Sequence, residues 1–304
     1  MAHNLNEENG KFSFASSLKT PAWHGLGQNV GHAMTSEEAL CEAGLCWQVE
    51  KHKVYRKIFN NSNEEVVEEI TSHMETRRID NGNTLGIVGK DYEVVQNGDC
   101  FKFFDNIVGQ NQAIFETAGC LYKGQIVFIT AKLPKDIVIG PVDLIENYVA
   151  LCTSHNGSLA LTAFFTPVRI VCNNTMDMAL RSNTNRVYLR HTKNIQEQML
   201  LGAKVMGLHS EYMDKLEQAY NLMYDTVVDD NTAKKVLNNT FLSSLQLKKM
   251  ATDGDVELSV RKTNTIKNVW EYYETSPTLD GIRGTAYGVF NAVTGYFQNV
   301  RNYS

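Results

Sequence analysis

The chain has 304 residues, 43 % hydrophobic and 21 % charged, and its 29 Lys+Arg against 34 Asp+Glu give a formal charge of −5. Values this close to the globular average exclude an intrinsically disordered, collagenous or strongly basic chain. Mild net acidity argues against coating nucleic acid through overall charge, but salt screens fields beyond about 8–10 Å and so leaves room for a local basic strip.

The opening MAHNLNEENG lacks the basic and apolar regions of a secretory signal. No apolar run approaches the roughly 20 residues of a membrane-spanning helix, so the expectation is a cytoplasmic protein with no membrane partner. Residues 1–20, polar and rich in Ser and Asn, read as a flexible arm. Thr35-Ser36-Glu37-Glu38 has the capped, acidic start of a helix that ends at Gly44. From Trp47 to about Val95 the pattern alternates as β structure, with Asn60-Asn61-Ser62-Asn63 and Asn81-Gly82-Asn83 as turns, which predicts an antiparallel meander. Asn97-Gly98-Asp99 introduces a helix with Phe101, Phe104, Ile107 and Val108 on one face. Strands are predicted at about 113–119, 124–132 and 146–154. Ser154-His155-Asn156-Gly157-Ser158 turns the chain and 159–165 returns. The apolar run Val168–Cys172 predicts a further strand, followed by a helix entered at Asn173-Asn174-Thr175 and running to about Leu180.

From Asn194 to about Val227, Met199, Met206, Met213, Leu216, Tyr220 and Met223 recur at three-and-four spacing, interrupted by Gly202 and His209. This predicts one long amphipathic helix that packs within the chain or against a second subunit. More helix is expected at about 232–249, 263–274 and 285–301. The strands do not alternate regularly with helices, so the predicted class is α+β: an antiparallel β-meander core with intercalated helices over 21–193, and a helical C-terminal region over 194–304.

The six cysteines are scattered without a C-x-x-C pair and read as reduced thiols. Gly25-x-Gly27-x-x-x-Gly31 departs from a dinucleotide fingerprint, and Gly86-Ile87-Val88-Gly89-Lys90 is not a P-loop. The common zinc, calcium and serine-hydrolase motifs are absent, so neither metal nor cofactor is expected. Residues 167–193 concentrate Arg169, Arg181, Arg186, Arg190 and Lys193 against the single acid Asp177. Guanidinium forks suit phosphate oxygens, and a helix start at Asn173 and Asn174 offers free backbone N–H groups. Alternation on a strand would place Tyr188 between Arg186 and Arg190, as in proteins that neutralise a single strand's backbone while stacking its bases. The alternative is a solvated strand paired to Glu64, Glu65, Glu68 and Glu69. His155, Asn156 and Ser158 offer a possible loop contact, with His155 able to titrate near neutrality; the alternative is a turn closed by its own hydrogen bonds.

Four blocks, Pro21-Ala22-Trp23-His24-Gly25-Leu26-Gly27, Ser154–Ser158, Pro167-Val168-Arg169-Ile170-Val171-Cys172-Asn173-Asn174-Thr175 and Gly284-Thr285-Ala286-Tyr287-Gly288-Val289-Phe290-Asn291-Ala292-Val293-Thr294-Gly295-Tyr296, resemble in content and order the phage/plasmid-like family called domain of unknown function 932. That resemblance implies a mobile genetic element in a bacterial host and supplies no catalytic residues. Asn156 stands where the family's S-H-D-G-S loop has Asp. In architecture and genetic context the chain also resembles phage single-strand annealing proteins of the Redβ, RecT and Erf kind. Those proteins form rings or filaments and hold DNA in a basic groove without hydrolysing nucleotide. The resemblance implies a non-enzymatic, homo-oligomeric protein that binds and anneals single-stranded DNA, and the local basic excess places that contact in the 167–193 segment. Two alternatives stay open: an interaction factor for a host or phage protein, and a metal-dependent nuclease centred on His155 with Asn156, Ser158 and Arg169, against which the lack of a carboxylate cluster in these blocks weighs.

Overall fold

The computed structural model describes residues 4–17, 22, 24–141, 143–181, 186–207, 210–253 and 258–297. The chain divides into two compact units, Met1–Asp136 with Ile145–Ser210, and Ile137–Leu144 with Glu211–Ser304.

In the first unit, β1 (Glu7–Glu8) and β2 (Lys11–Phe12) form a tight hairpin, and β3 (Phe14–Ser16) lies beside β4 (Gln28–Asn29) in parallel. Helix α1 (Ser36–Glu42) opens with a capping box: Thr35 Oγ1 accepts from the Glu38 backbone N–H while the Glu38 carboxylate accepts from the N–H of Thr35. Strands β5 (Val49–Phe59), β6 (Glu65–Arg78) and β7 (Thr84–Gly89) make the antiparallel meander that the turn clusters predict. After α2 (Asn97–Asn111) come β8 (Ile114–Leu121) and β9 (Ile126–Lys132). The two short strands β10 (Ile137–Ile139) and β11 (Asp143–Ile145) pair with each other. The first unit then continues through β12 (Tyr148–Ser154), β13 (Leu161–Thr166), α3 (Asn173–Arg181), β14 (Arg186–Leu189) and α4 (Ile195–Gly207).

A seven-stranded sheet in the order β14-β13-β12-β9-β8-β3-β4 organises this unit, antiparallel except at β3–β4. Period-two alternation sorts its side chains. Val127, Ile129, Val149, Leu151, Leu161 and Ala163 face the helices α1, α2 and α4, where Phe101, Phe104, Ile107 and Met199 complete the larger core. Phe14, Phe128, Ala150, Cys152 and Phe164 face the opposite way, onto 170–172 and the α3 residues Met176 and Ala179. Burying each large side chain contributes about 1.5–3 kcal/mol, so a sheet covered on both faces is a rigid platform for whatever its edges carry.

Three expectations are corrected. The polar opening stretch is not a loose arm over its described residues: Phe14 and Ala15 are buried in the sheet, and Glu8 is held by the buried guanidinium of Arg78 on β6. Val168–Cys172 is not a strand. It is apolar because Ile170, Val171 and Cys172 lie flat on the sheet, with the Ile170 carbonyl accepting from Thr117 Oγ1 at 2.7 Å. The stripe predicted as one helix over 194–227 is shared between α4 and α5 (Ser210–Asp225), which belong to different units; His209 and its neighbour 208 lie outside the described residues. Gly202 interrupts the stripe because α4 presses on β14 there: a Cβ would come within 2.9 Å of Val187 Cγ1.

The second unit holds α5, α6 (Asp230–Phe241), α7 (Ser244–Asp253), α8 (Val260–Thr275) and α9 (Ala286–Gly295). Leu237, Val269, Tyr273, Tyr287, Val289 and Ala292 are buried. The block at 284–296 has a structural explanation. Thr285 caps α9 by accepting from the N–H of Gly288, and a Cβ at Gly288 would overlap the Ile282 carbonyl. Tyr287 donates its hydroxyl to Asp143 at 2.8 Å. Among the described residues no helix is long and apolar enough to cross a membrane.

Candidate nucleic-acid interface

Strand β14 is the free edge of the large sheet, and its pairing with β13 sets Thr162 opposite Tyr188 and Phe164 opposite Arg186. Val187 and Leu189 turn toward α4 and the larger core. Arg186 and Tyr188 therefore emerge on the face that α3 covers, with Arg181 closing α3. The Arg186 guanidinium sits 6.0 Å from the centroid of the Tyr188 ring, which is 53 % exposed. Arg190 and Lys193 follow the strand, both exposed. Among the described residues none of Arg181, Arg186, Arg190 and Lys193 makes an ion pair. The acids offered as alternative partners are engaged elsewhere: Glu69 with Lys53, Glu68 with Arg56 and Glu65 with Lys57 at 2.7–2.9 Å, and Glu64 with Asn60.

Arg169 does not join this set. Its Nε lies 3.3 Å from Oε1 of the buried Glu116, and Nη2 donates to Ser16 Oγ at 3.4 Å. Burial pushes the Glu116 carboxyl above its ordinary range, and Arg169 opposes that shift. Nearby, Lys132 pairs with Glu146 at 2.6 Å and Tyr148 donates to Glu146 at 2.8 Å. Arg169 is thus the counter-charge of an internal ion cluster rather than a free phosphate ligand. Asn173 donates to Asp177 at 3.2 Å, while Asn174 is exposed at the first turn of α3.

His155 is a second correction. It is fully buried, in edge-to-face contact with Trp47 at 5.3 Å between centroids. Asn97 donates its amide to the Leu45 carbonyl, so its Oδ1 must accept from His155 Nε2–H, at 2.9 Å. The His155 carbonyl accepts from Thr76 Oγ1 at 2.7 Å. Burial, reinforced by nearby His191, holds His155 down at about 3, so it is neutral at pH 7 and unavailable to a ligand in solution. Asn156 closes an Asx turn onto the Ser158 N–H and donates to Gln125 at 3.1 Å; Ser158 is exposed. The turn alternative describes this loop. Gly86 of β7 allows it to dock, since a Cβ there would come within 2.6 Å of Asn156 Cβ.

Two further histidines have internal partners that no spacing in the sequence announces. His24 is one: its Nδ1 accepts from the Leu26 N–H, so its Nε2–H donates to the Val171 carbonyl at 3.0 Å, joining the first block to the third. His191 is another, stacked on Tyr92 at 4.6 Å and hydrogen-bonded to Thr153 and to the Glu93 carbonyl. Among the described residues no group of three or more His, Cys, Asp or Glu is placed to hold a metal ion.

Residues 84–304 match the model of a protein family described as a domain of unknown function (DUF932), more than half of the chain. No curated protein and no solved structure matches it.

Proposed function

The chain belongs to the DUF932 family, and on that footing we propose that it binds single-stranded DNA along 181–193 and anneals it, without nucleotide hydrolysis, as a phage or plasmid protein in the bacterial cytoplasm. The observation that carries this reading is the set of four exposed cations, Arg181, Arg186, Arg190 and Lys193, without ion pairs among the described residues, one of which, Arg186, lies over the exposed Tyr188 ring. Unpaired guanidinium and ammonium groups gain from phosphate what the paired cations of the β5–β6 hairpin already gain from glutamate. Tyr188 offers a stacking plate, which only an unpaired base can use. Neutralising the backbone lowers the repulsion between complementary strands, which is the step an annealing protein must assist.

The same reading expects subunits to associate. The β5–β6 hairpin offers a surface for it: pairing places Tyr55, Phe59 and Val67 on one face, 55 %, 68 % and 60 % exposed. That surface also favours the second reading, a protein partner from host or phage.

Fluorescence anisotropy with a labelled oligonucleotide tests the proposal. Four phosphate contacts give a slope of log K against log salt of about −3, at roughly −0.7 per contact on a single strand. Absence of binding at low salt, or binding indifferent to Arg186→Ala with Arg190→Ala, overturns it. Sedimentation of Phe59→Asp then separates subunit association from partner binding.

A further inference from the structure

Helix α1 ends one residue after Cys41, and Gly44, at φ +66°, turns the chain back on it. The Gly44 N–H donates to the Cys41 carbonyl and the Leu45 N–H to the Leu40 carbonyl, both at 2.9 Å. This closure returns Cys46 to the side of Cys41, with the two Sγ atoms 2.7 Å apart. Non-bonded heavy atoms settle at about 3.5–4.0 Å, and a disulfide at about 2.05 Å, so the backbone already holds the thiols near bonding distance. Both are exposed, whereas Cys100, Cys120, Cys152 and Cys172 are buried. Cys41 also borders a cavity of about 610 Å³ shared with Glu8, Lys11, Gln28 and Glu42, through which a small oxidant has access.

We propose that Cys41 and Cys46 form a reversible thiol–disulfide site, oxidised by a low-molecular-weight disulfide such as oxidised glutathione. One cysteine thiolate attacks a sulfur of the oxidant, forming a mixed disulfide and releasing one glutathione thiolate. The other cysteine thiolate attacks the protein sulfur of that mixed disulfide, forming Cys41–Cys46 and releasing the second glutathione. The protein loses two electrons and two protons, and the oxidant is reduced to two glutathione molecules. The product ties the last turn of α1 to the residue before Trp47, whose ring covers His155.

The experiment treats the full chain with oxidised glutathione and follows it by maleimide labelling under native conditions, intact mass and peptide mapping. The labelled thiols fall from two to none, the mass falls by two hydrogens, and the loss maps to the peptide containing Cys41 and Cys46; dithiothreitol restores both thiols. Cys41→Ser and Cys46→Ser each retain a single glutathione adduct on the remaining cysteine, with unchanged circular dichroism. Two stable adducts on the wild type, two thiols that stay labelled, or a loss of hydrogens at other cysteines overturns the proposal.

Discussion

The Nε2–H of His155 donates to Oδ1 of Asn97, 58 residues earlier in the chain, and burial holds this imidazole in its neutral form. With a folded value of about 3 against about 6.5 unfolded, the unfolded chain binds the extra proton. The stability due to neutral His155 is complete above about pH 6.5 and drains as pH falls toward 3, at about 1.4 kcal/mol per pH unit. His191 is lowered by burial too and adds in the same direction. Urea unfolding at pH 7, 5.5 and 4.5 checks this: His155→Gln is less stable than the wild type at pH 7 but loses stability less steeply with acid. An equal slope in the two proteins contradicts it.

Arg169 and Arg186 are the same residue type within one basic stretch, yet their substitutions should part. Arg169→Ala leaves Glu116 buried without its counter-charge and costs about 3–5 kcal/mol. Arg186→Ala stays within about 0.5 kcal/mol in stability and instead lowers oligonucleotide affinity. Combining Arg169→Met with Glu116→Leu recovers most of the loss. Thermal melts beside anisotropy titrations separate the two effects.

Tyr188→Ala should cost about 1–3 kcal/mol in binding, the worth of one stacked base, whereas Tyr188→Phe keeps the ring and the affinity. Equal affinity for Tyr188→Ala and the wild type would remove stacking from the account.

Glycines divide by what surrounds them. Gly86→Ala drives a methyl into Asn156 and should cost about 1–3 kcal/mol, and Gly202→Ala does the same against Val187. Gly109, in α2 with open space around it, gains about 0.5–1 kcal/mol on replacement by Ala. Denaturant midpoints for the three variants check both signs.

Much of the α+β class was legible because its signals are local: the Thr35 cap, the Asn-rich turns of the β5–β6–β7 meander and the Phe101–Phe104–Ile107 face each act over a few residues. Val168–Cys172 has the pattern of a strand since a loop pressed on a sheet is as apolar as a strand in one. His155 and Arg169 have the pattern of solvent-facing groups because their partners, Asn97 and Glu116, lie far off in the chain, and no spacing announces them. Arg186 and Tyr188 followed from strand alternation, which needs only the next residue to be counted.

Residues 137–144 leave the first unit between β9 and β12, and their partners come much later. The Gly140 N–H donates to Asn221, 81 residues on, and Asp143 accepts from Tyr287, 144 residues on. During synthesis the first sheet can therefore assemble while this short excursion, with Ile137 and Ile139 that end fully enclosed, still waits uncovered at the ribosome. The second unit has no order of growth from one end: it closes around a piece of chain already made, so its folding is a late capture whose speed depends on how long that piece is shielded from other sticky surfaces in the cell.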